Sequence, residues 1–171
     1  MSVEIKIESK RYNCNLTIKE KVTFIKGESG VGKSLLTRYI SEQTSAVKTY
    51  VSNNYDLVVL NNGMFQTFVK RASRKIGSTS KKDLEKYWSV EDNFPVLDSI
   101  IIIDDEDFVI SEEFSAWFNS DKSNYYIIIN RSHISNIGYS IEEVYKFKKN
   151  GKEHTILPYT PTVRMRSLTV R

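Results

Sequence analysis

The chain has 171 residues, of which 40% are hydrophobic and 27% charged, and this composition is typical of one compact globular domain. A net charge of +4 does not by itself identify a nucleic-acid-binding protein, and a single cysteine, Cys14, excludes both an internal disulfide and a cysteine-based zinc site. Apolar runs such as residues 100–103 are far shorter than the roughly 20 residues that span a bilayer, so we expect a cytoplasmic protein without a membrane segment.

The first part of the chain predicts a series of strands. Residues 3–8 and 12–19 alternate apolar and polar side chains, which is typical of strands with one buried face, and we expect them to pair as an antiparallel hairpin. Residues 22–26 form a third predicted strand. Two short apolar runs, residues 47–51 and 57–60, are bounded by turn-forming residues and predict two more strands.

Several segments have the apolar spacing of helices. One begins at Ser34, and another carries an apolar stripe over residues 64–76 and is expected to end at Gly77. A shorter helix is expected over residues 82–88, and a further helix begins at Ser111, a residue type that commonly caps a helix N-terminus.

The remaining elements are two buried strands and a hairpin. Residues 99–103 form an isoleucine-rich strand that ends in an acidic string, and residues 125–129 form a strand that ends at Asn130. The pair Asn150-Gly151 predicts a tight hairpin. We expect one domain over residues 1–159, followed by a basic tail over residues 160–171.

The strand over residues 22–26 leads into a motif of the form GxxxxGK[ST]. Its residues are Gly27, Glu28, Ser29, Gly30, Val31, Gly32, Lys33 and Ser34. Glycines let the backbone curl so that successive N–H groups face a phosphate, and the N-terminus of the next helix, with Leu35 in its first turn, adds a partial positive charge. Lys33 is expected to reach the β- and γ-phosphates, and the Ser34 hydroxyl is expected to ligate Mg²⁺.

This motif, between a predicted strand and a predicted helix, resembles that of the P-loop NTPase superfamily. Over residues 20–132 the resemblance implies an α/β fold with a three-layer P-loop NTPase sheet, to which this chain adds an N-terminal antiparallel hairpin and a C-terminal hairpin. It also implies that an apolar strand ends in an aspartate that holds Mg²⁺, followed by an acidic residue that polarises the attacking water. Asp104 and Asp105 match these two roles, and a register one step along assigns them to Asp105 and Glu106 instead.

The resemblance also gives a role to the residue after the second buried strand. In one branch of the superfamily, the strand between the motif strand and the Mg²⁺ strand carries a polar residue near the γ-phosphate, and Asn130 matches it. Arg131 is the alternative, as a phosphate sensor or as an arginine finger acting on a neighbouring subunit. An asparagine after a strand is also an ordinary turn former, so a structural role for Asn130 stays open.

The expected nucleotide is ATP, because neither the DxxG nor the NKxD motif of the GTPases is present. The order of elements resembles ATPases with an added catalytic carboxylate, which include AAA-like and ABC-like or SMC-like heads. The acidic string favours the AAA-like group, whereas the antiparallel strands before the motif, where Tyr12 is placed to stack on adenine, favour the ABC-like group. The chain has no LSGGQ-type signature, which counts against the second group.

A basic stretch without acidic residues covers residues 70–82. It contains Lys70, Arg71, Arg74, Lys75, Lys81 and Lys82. It predicts either a contact with nucleic-acid phosphates, chiefly through its first four cations, or a solvated helix face.

The function predicted from the sequence is Mg²⁺-dependent ATP hydrolysis, coupled to a protein partner, to a second copy of the chain or to nucleic acid. One alternative is an ATP-binding regulatory or assembly module with little turnover. Another is a small-molecule kinase, which would need the basic stretch as a lid.

Overall fold

The structure, a computed structural model, describes residues 2–10, 13–26, 37–38, 48–130, 144–150 and 153–158. The described strands are β1 (Val3–Glu8), β2 (Asn13–Ile18), β3 (Val22–Lys26), β4 (Lys48–Val51), β5 (Asp56–Val59), β6 (Ser99–Asp104), β7 (Tyr125–Asn130), β8 (Val144–Asn150) and β9 (Glu153–Pro158). The described helices with defined bounds are α1 (Asn62–Ile76), α2 (Lys81–Trp88) and α3 (Glu112–Ser120). Residues 37 and 38 are also helical.

The strands pair in the order β4-β1-β2-β9-β8-β3-β7-β6-β5. At one side, β4, β1 and β2 form a three-stranded antiparallel sheet. At the other side, β3, β7, β6 and β5 form a four-stranded parallel sheet. Between them, β8 and β9 pair as an antiparallel hairpin, and each also pairs in parallel with a neighbour, β8 with β3 and β9 with β2.

The central parallel strands are buried on both faces, as expected for β-branched runs without alternation. On one face, Ile101, Ile103 and Tyr126 join a core with apolar residues of α1, α2 and α3. On the other face, Ile100 and Ile102 join a second core with the apolar residues of β1 and β2. The alternating pattern of β1 and β2 therefore buries its apolar face against the parallel strands.

The predicted fold class is wrong. A three-layer P-loop NTPase sheet has helices on both faces of its parallel strands, whereas α1, α2 and α3 all contribute to the core on one face. The described part of the chain is a small mixed α/β structure, in which β1 and β2 cover the opposite face. The physical reason is that alternation reveals one buried face of a strand but does not reveal which surface covers it.

The helix ends follow from local sequence. The side chain of Asn61 accepts a hydrogen bond from the Met64 backbone N–H at 2.9 Å and caps α1. At its other end, Gly77 has φ of 68°, a left-handed conformation that favours glycine, and donates its N–H to the Ser73 carbonyl oxygen. Ser111 caps α3 through a hydrogen bond from the Phe114 N–H.

None of the helices that the structure describes has both the length and the apolar character that a membrane crossing requires.

A buried polar network lies near the amino ends of β6 and β7. Asp121 is only 4% exposed. Its carboxylate accepts hydrogen bonds from the Tyr126 hydroxyl, from the Asn124 side-chain amide and from the backbone N–H groups of Ser123 and Asn124. The Tyr126 hydroxyl oxygen in turn accepts a hydrogen bond from Trp117 Nε1 at 2.8 Å. This network joins α3 to β7.

Two further polar contacts lie at the amino ends of these strands, one made by Asn124 and one by Lys21. Asn124 Oδ1 accepts a hydrogen bond from the Ser99 N–H at 2.8 Å, which joins the network to β6. The Lys21 ammonium donates to the carbonyl oxygens of Phe118 and Asp121 and lies 4.4 Å from the centre of the Phe118 ring. The polar groups at the amino ends of the strands therefore satisfy one another.

Replacing Tyr126 with phenylalanine tests the contribution of this network to stability. Tyr126→Phe leaves Trp117 Nε1 without its acceptor and removes one donor to Asp121, so we expect the free energy of unfolding in urea to fall by about 1–3 kcal/mol. The control is Tyr50→Phe, since Tyr50 is 56% exposed. Equal effects of the two substitutions would contradict a stabilising role for the network.

The same variant gives a second readout at alkaline pH. Burial, followed by the neighbouring Asp121, raises the pKa of Tyr126 well above its ordinary value of 10.0. The unfolded chain then loses this proton at lower pH than the folded chain, so stability falls as pH rises above about 10, by up to about 1.4 kcal/mol per pH unit. We expect the stability difference between wild type and Tyr126→Phe to narrow above that pH, and a constant difference would refute this assignment.

Candidate functional site

Three parallel strands end together at one edge of the sheet. In the register of the strands, Lys26 at the end of β3 pairs with Asn130 at the end of β7, and Asp104 at the end of β6 pairs with Ile129. Because β7 lies between the other two, the end of β3 and the end of β6 are two strand spacings apart, about 10 Å. We call this place the carboxyl edge.

The acidic string begins where burial ends. Residues 100–103 are fully buried, Asp104 and Glu106 are partly buried, and Asp105 and Asp107 are exposed. Since a strand buried on both faces has no polar surface along its length, its ionisable residues lie at its end. The sequence therefore places carboxylates at the carboxyl edge.

A hydrogen bond links this edge to the helical residues after the glycine-rich motif. Thr37 Oγ1 donates to Asp104 Oδ2 at 3.0 Å. The two described residues that flank residues 27–36 therefore lie at the carboxyl edge, since Lys26 is the last residue of β3 and Thr37 contacts the end of β6.

Asp105 has an unusual backbone conformation. Its φ is 54°, in the left-handed region that few residues other than glycine adopt, although aspartate tolerates it better than most. Its backbone N–H donates to the Ile129 carbonyl oxygen at 2.8 Å, which holds the residue between the ends of β6 and β7.

Many of the predicted site residues lie outside the described residues. They are Gly27, Glu28, Ser29, Gly30, Val31, Gly32, Lys33, Ser34 and Leu35, together with Tyr12 and Arg131. Of Asn130 the backbone is described, as the last residue of β7. The structure brings Asp104, Asp105 and the Asn130 backbone together at one edge, with Glu106 directly following in the chain.

Thr37 is the residue that sequence reasoning missed. It lies three positions after Ser34, so in the predicted helix the two hydroxyls share a face one turn apart. The three-residue spacing between Ser34 and Thr37 is the sequence feature from which Thr37 could have been predicted.

The donor atoms at the carboxyl edge suit a hard cation. Within the described ranges, no three His, Cys, Asp or Glu side chains are grouped to hold a metal ion. Mg²⁺ does not require such a cage, because it is usually held by one or two carboxylates together with water and phosphate oxygens. The Asp104 carboxylate, oriented by a hydroxyl donor, fits this pattern.

The basic stretch over residues 70–82 lies away from the carboxyl edge. Arg71 is nine residues into α1, about 14 Å along a helix that begins next to the end of β5. The structure therefore does not bring these cations to Asp104.

A double-mutant cycle tests the contact between Thr37 and Asp104. Thr37→Val keeps the branched shape and removes the hydroxyl, and Asp104→Asn removes the charge of the acceptor. We expect a coupling of about 1 kcal/mol in the free energy of unfolding, since hydrogen bonds to charged groups are stronger than neutral ones and this bond is partly buried. Additive effects would contradict a hydrogen bond from Thr37 that is strengthened by the charge of Asp104.

Comparison with protein-family models finds no family that matches the chain, and comparison with curated proteins finds no match either. Any functional proposal therefore rests on the residues of this chain.

Proposed function

We propose that this chain binds ATP with Mg²⁺ at the carboxyl edge and hydrolyses it. The observation that carries the proposal is the hydrogen bond from Thr37 to Asp104. It joins Thr37, three residues after the motif at residues 27–34, to the acidic end of β6. This supports the proposal, because the carboxylate proposed to hold Mg²⁺ contacts a residue that closely follows the proposed phosphate-binding motif.

The motif supplies the groups that a triphosphate needs. Three glycines within residues 27–34 permit close approach of backbone N–H groups to phosphate oxygens, and Lys33 provides a positive charge for the β- and γ-phosphates. The missing guanine-recognition motifs support ATP rather than GTP.

Asp104 and Ser34 are the proposed ligands of Mg²⁺, which supplies positive charge to the β- and γ-phosphate oxygens when bound. The Thr37 hydroxyl occupies one lone pair of the Asp104 carboxylate, which has about four acceptor positions. Thr37 is therefore a positioning residue, because its hydrogen bond holds the rotamer of the Asp104 carboxylate.

Asp105 and Glu106 are the proposed bases for the attacking water. The hydrogen bond from the Asp105 N–H to Ile129 fixes Asp105 beside the middle strand, and Glu106 is partly buried one residue along. Asn130 ends that middle strand, between the motif strand and the acidic strand. This position supports contact between Asn130 and the γ-phosphate.

Titration calorimetry with ATP and Mg²⁺ tests binding. We expect Lys33→Ala to weaken binding at least about tenfold, because a charged contact to phosphate is lost. Asp104→Asn is expected to weaken the Mg²⁺-dependent part of binding, whereas Asp107→Asn, in the same acidic string but exposed, is the matched control. Absence of ATP binding by the folded wild-type protein would contradict the proposal.

Phosphate release by the same variants tests hydrolysis. Asp105→Asn or Glu106→Gln is expected to reduce turnover by at least about 100-fold while ATP still binds, since the base acts only in the chemical step. Binding without release by wild type would favour the regulatory or assembly module. Transfer of phosphate to a metabolite would favour the kinase.

A further inference from the structure

The positive charge of the chain is concentrated on one helical hairpin. Residues 62–89, which contain α1 and α2, hold seven basic and two acidic side chains, a net charge of +5. The whole chain has a net charge of +4, so the remainder has a net charge of −1. This asymmetry indicates an anionic partner on the α1–α2 side of the molecule.

A groove with a volume of about 530 Å³ lies between α1 and the end of α2. Its lining includes the side chains of Phe68, Ala72 and the buried Trp88, which provide apolar surface, and three exposed cations of α1. The cations are Arg71, Arg74 and Lys75. The groove therefore combines apolar surface with concentrated positive charge.

The three cations have no acidic partner within the described part of the chain. Glu91 and Asp92 are near in sequence to the groove residue Asn93, but neither lines the groove. An ion pair on α1 itself is excluded because residues 62–76 contain no acid. The charges are consequently available to a ligand.

Tyr87 adds an aromatic surface to the groove. It is partly buried at the end of α2, so part of its ring packs on the core while the residue also lines the groove. The Asn93 side-chain amide donates to the Tyr87 carbonyl oxygen at 3.0 Å, which ties the segment after α2 to that helix. The aromatic residue is thus held on a supported backbone.

We propose that this groove binds single-stranded nucleic acid, with Arg71, Arg74 and Lys75 on the phosphates and Tyr87 against a base. The cations span about 6 Å along α1, a distance that suits neighbouring phosphates of one strand. Single strands expose base faces for stacking on an aromatic ring, whereas a duplex hides them. An acidic peptide or a lipid surface would be held by the charges but has no base to stack on the aromatic ring.

The groove is separate from the proposed ATP site. Its cations lie in the second half of α1, and the Thr37–Asp104 contact lies at the carboxyl edge, near which that helix begins. The nucleic-acid proposal therefore does not depend on ATP binding, and the two can fail independently.

Fluorescence anisotropy with a labelled 12-nucleotide oligothymidylate tests the proposal. The triple variant Arg71→Gln, Arg74→Gln and Lys75→Gln is expected to bind at least about tenfold more weakly than wild type at low salt, with the slope of log affinity against log salt reduced by about 2. Tyr87→Leu, which keeps apolar packing, is expected to weaken binding about fivefold or more, and Tyr87→Phe to retain it.

The matched control removes three exposed cations elsewhere. Lys6→Gln, Lys10→Gln and Lys19→Gln change the net charge equally but lie on or beside β1 and β2. Equal loss of binding in this control would overturn the proposal, as would tighter binding to a duplex of the same sequence. Binding to anionic vesicles or polyglutamate with none to the oligonucleotide would overturn it too.

Discussion

The central strands β6 and β7 are buried on both faces, and this burial determines where the polar groups of the sheet lie. Ile100 and Ile102 face the β1–β2 side, while Ile101 and Ile103 face the helices. An unpaired polar side chain along such a strand would lose its hydration without compensation. Polar residues are therefore confined to the two ends of these strands.

The polar residues at the amino ends of β6 and β7 differ in burial from those at the carboxyl edge. Near the amino end, Asp121 and Asn124 are buried, and their side chains are satisfied by neighbouring groups, so this end stabilises the fold. At the carboxyl edge, Asp105 is exposed in a left-handed conformation, and the Asp104 carboxylate contacts the residue that follows the glycine-rich motif by three positions. Carboxylates that remain accessible can act on a ligand, which is why we place the chemistry there.

Local patterns predicted most elements but not their arrangement. The apolar stripe over residues 64–76 and the glycine at its end predicted α1 and its left-handed cap, because both depend on residues close in sequence. The covering of the parallel strands by β1 and β2 was not predictable, since it depends on contacts between distant segments. Likewise, the acidic string predicted carboxylates at a strand end, but the conformation of Asp105 and the contact of Thr37 with Asp104 are tertiary features.

The most direct measurement is a crystal structure with a non-hydrolysable ATP analogue and Mn²⁺, which shares the preference of Mg²⁺ for oxygen ligands and gives an anomalous signal. We expect an anomalous peak within direct or water-mediated reach of the Asp104 carboxylate, with phosphate oxygens against the backbone of residues 27–34. A nucleotide bound away from this edge, or a metal ion with no contact to Asp104, would rule out the proposed site.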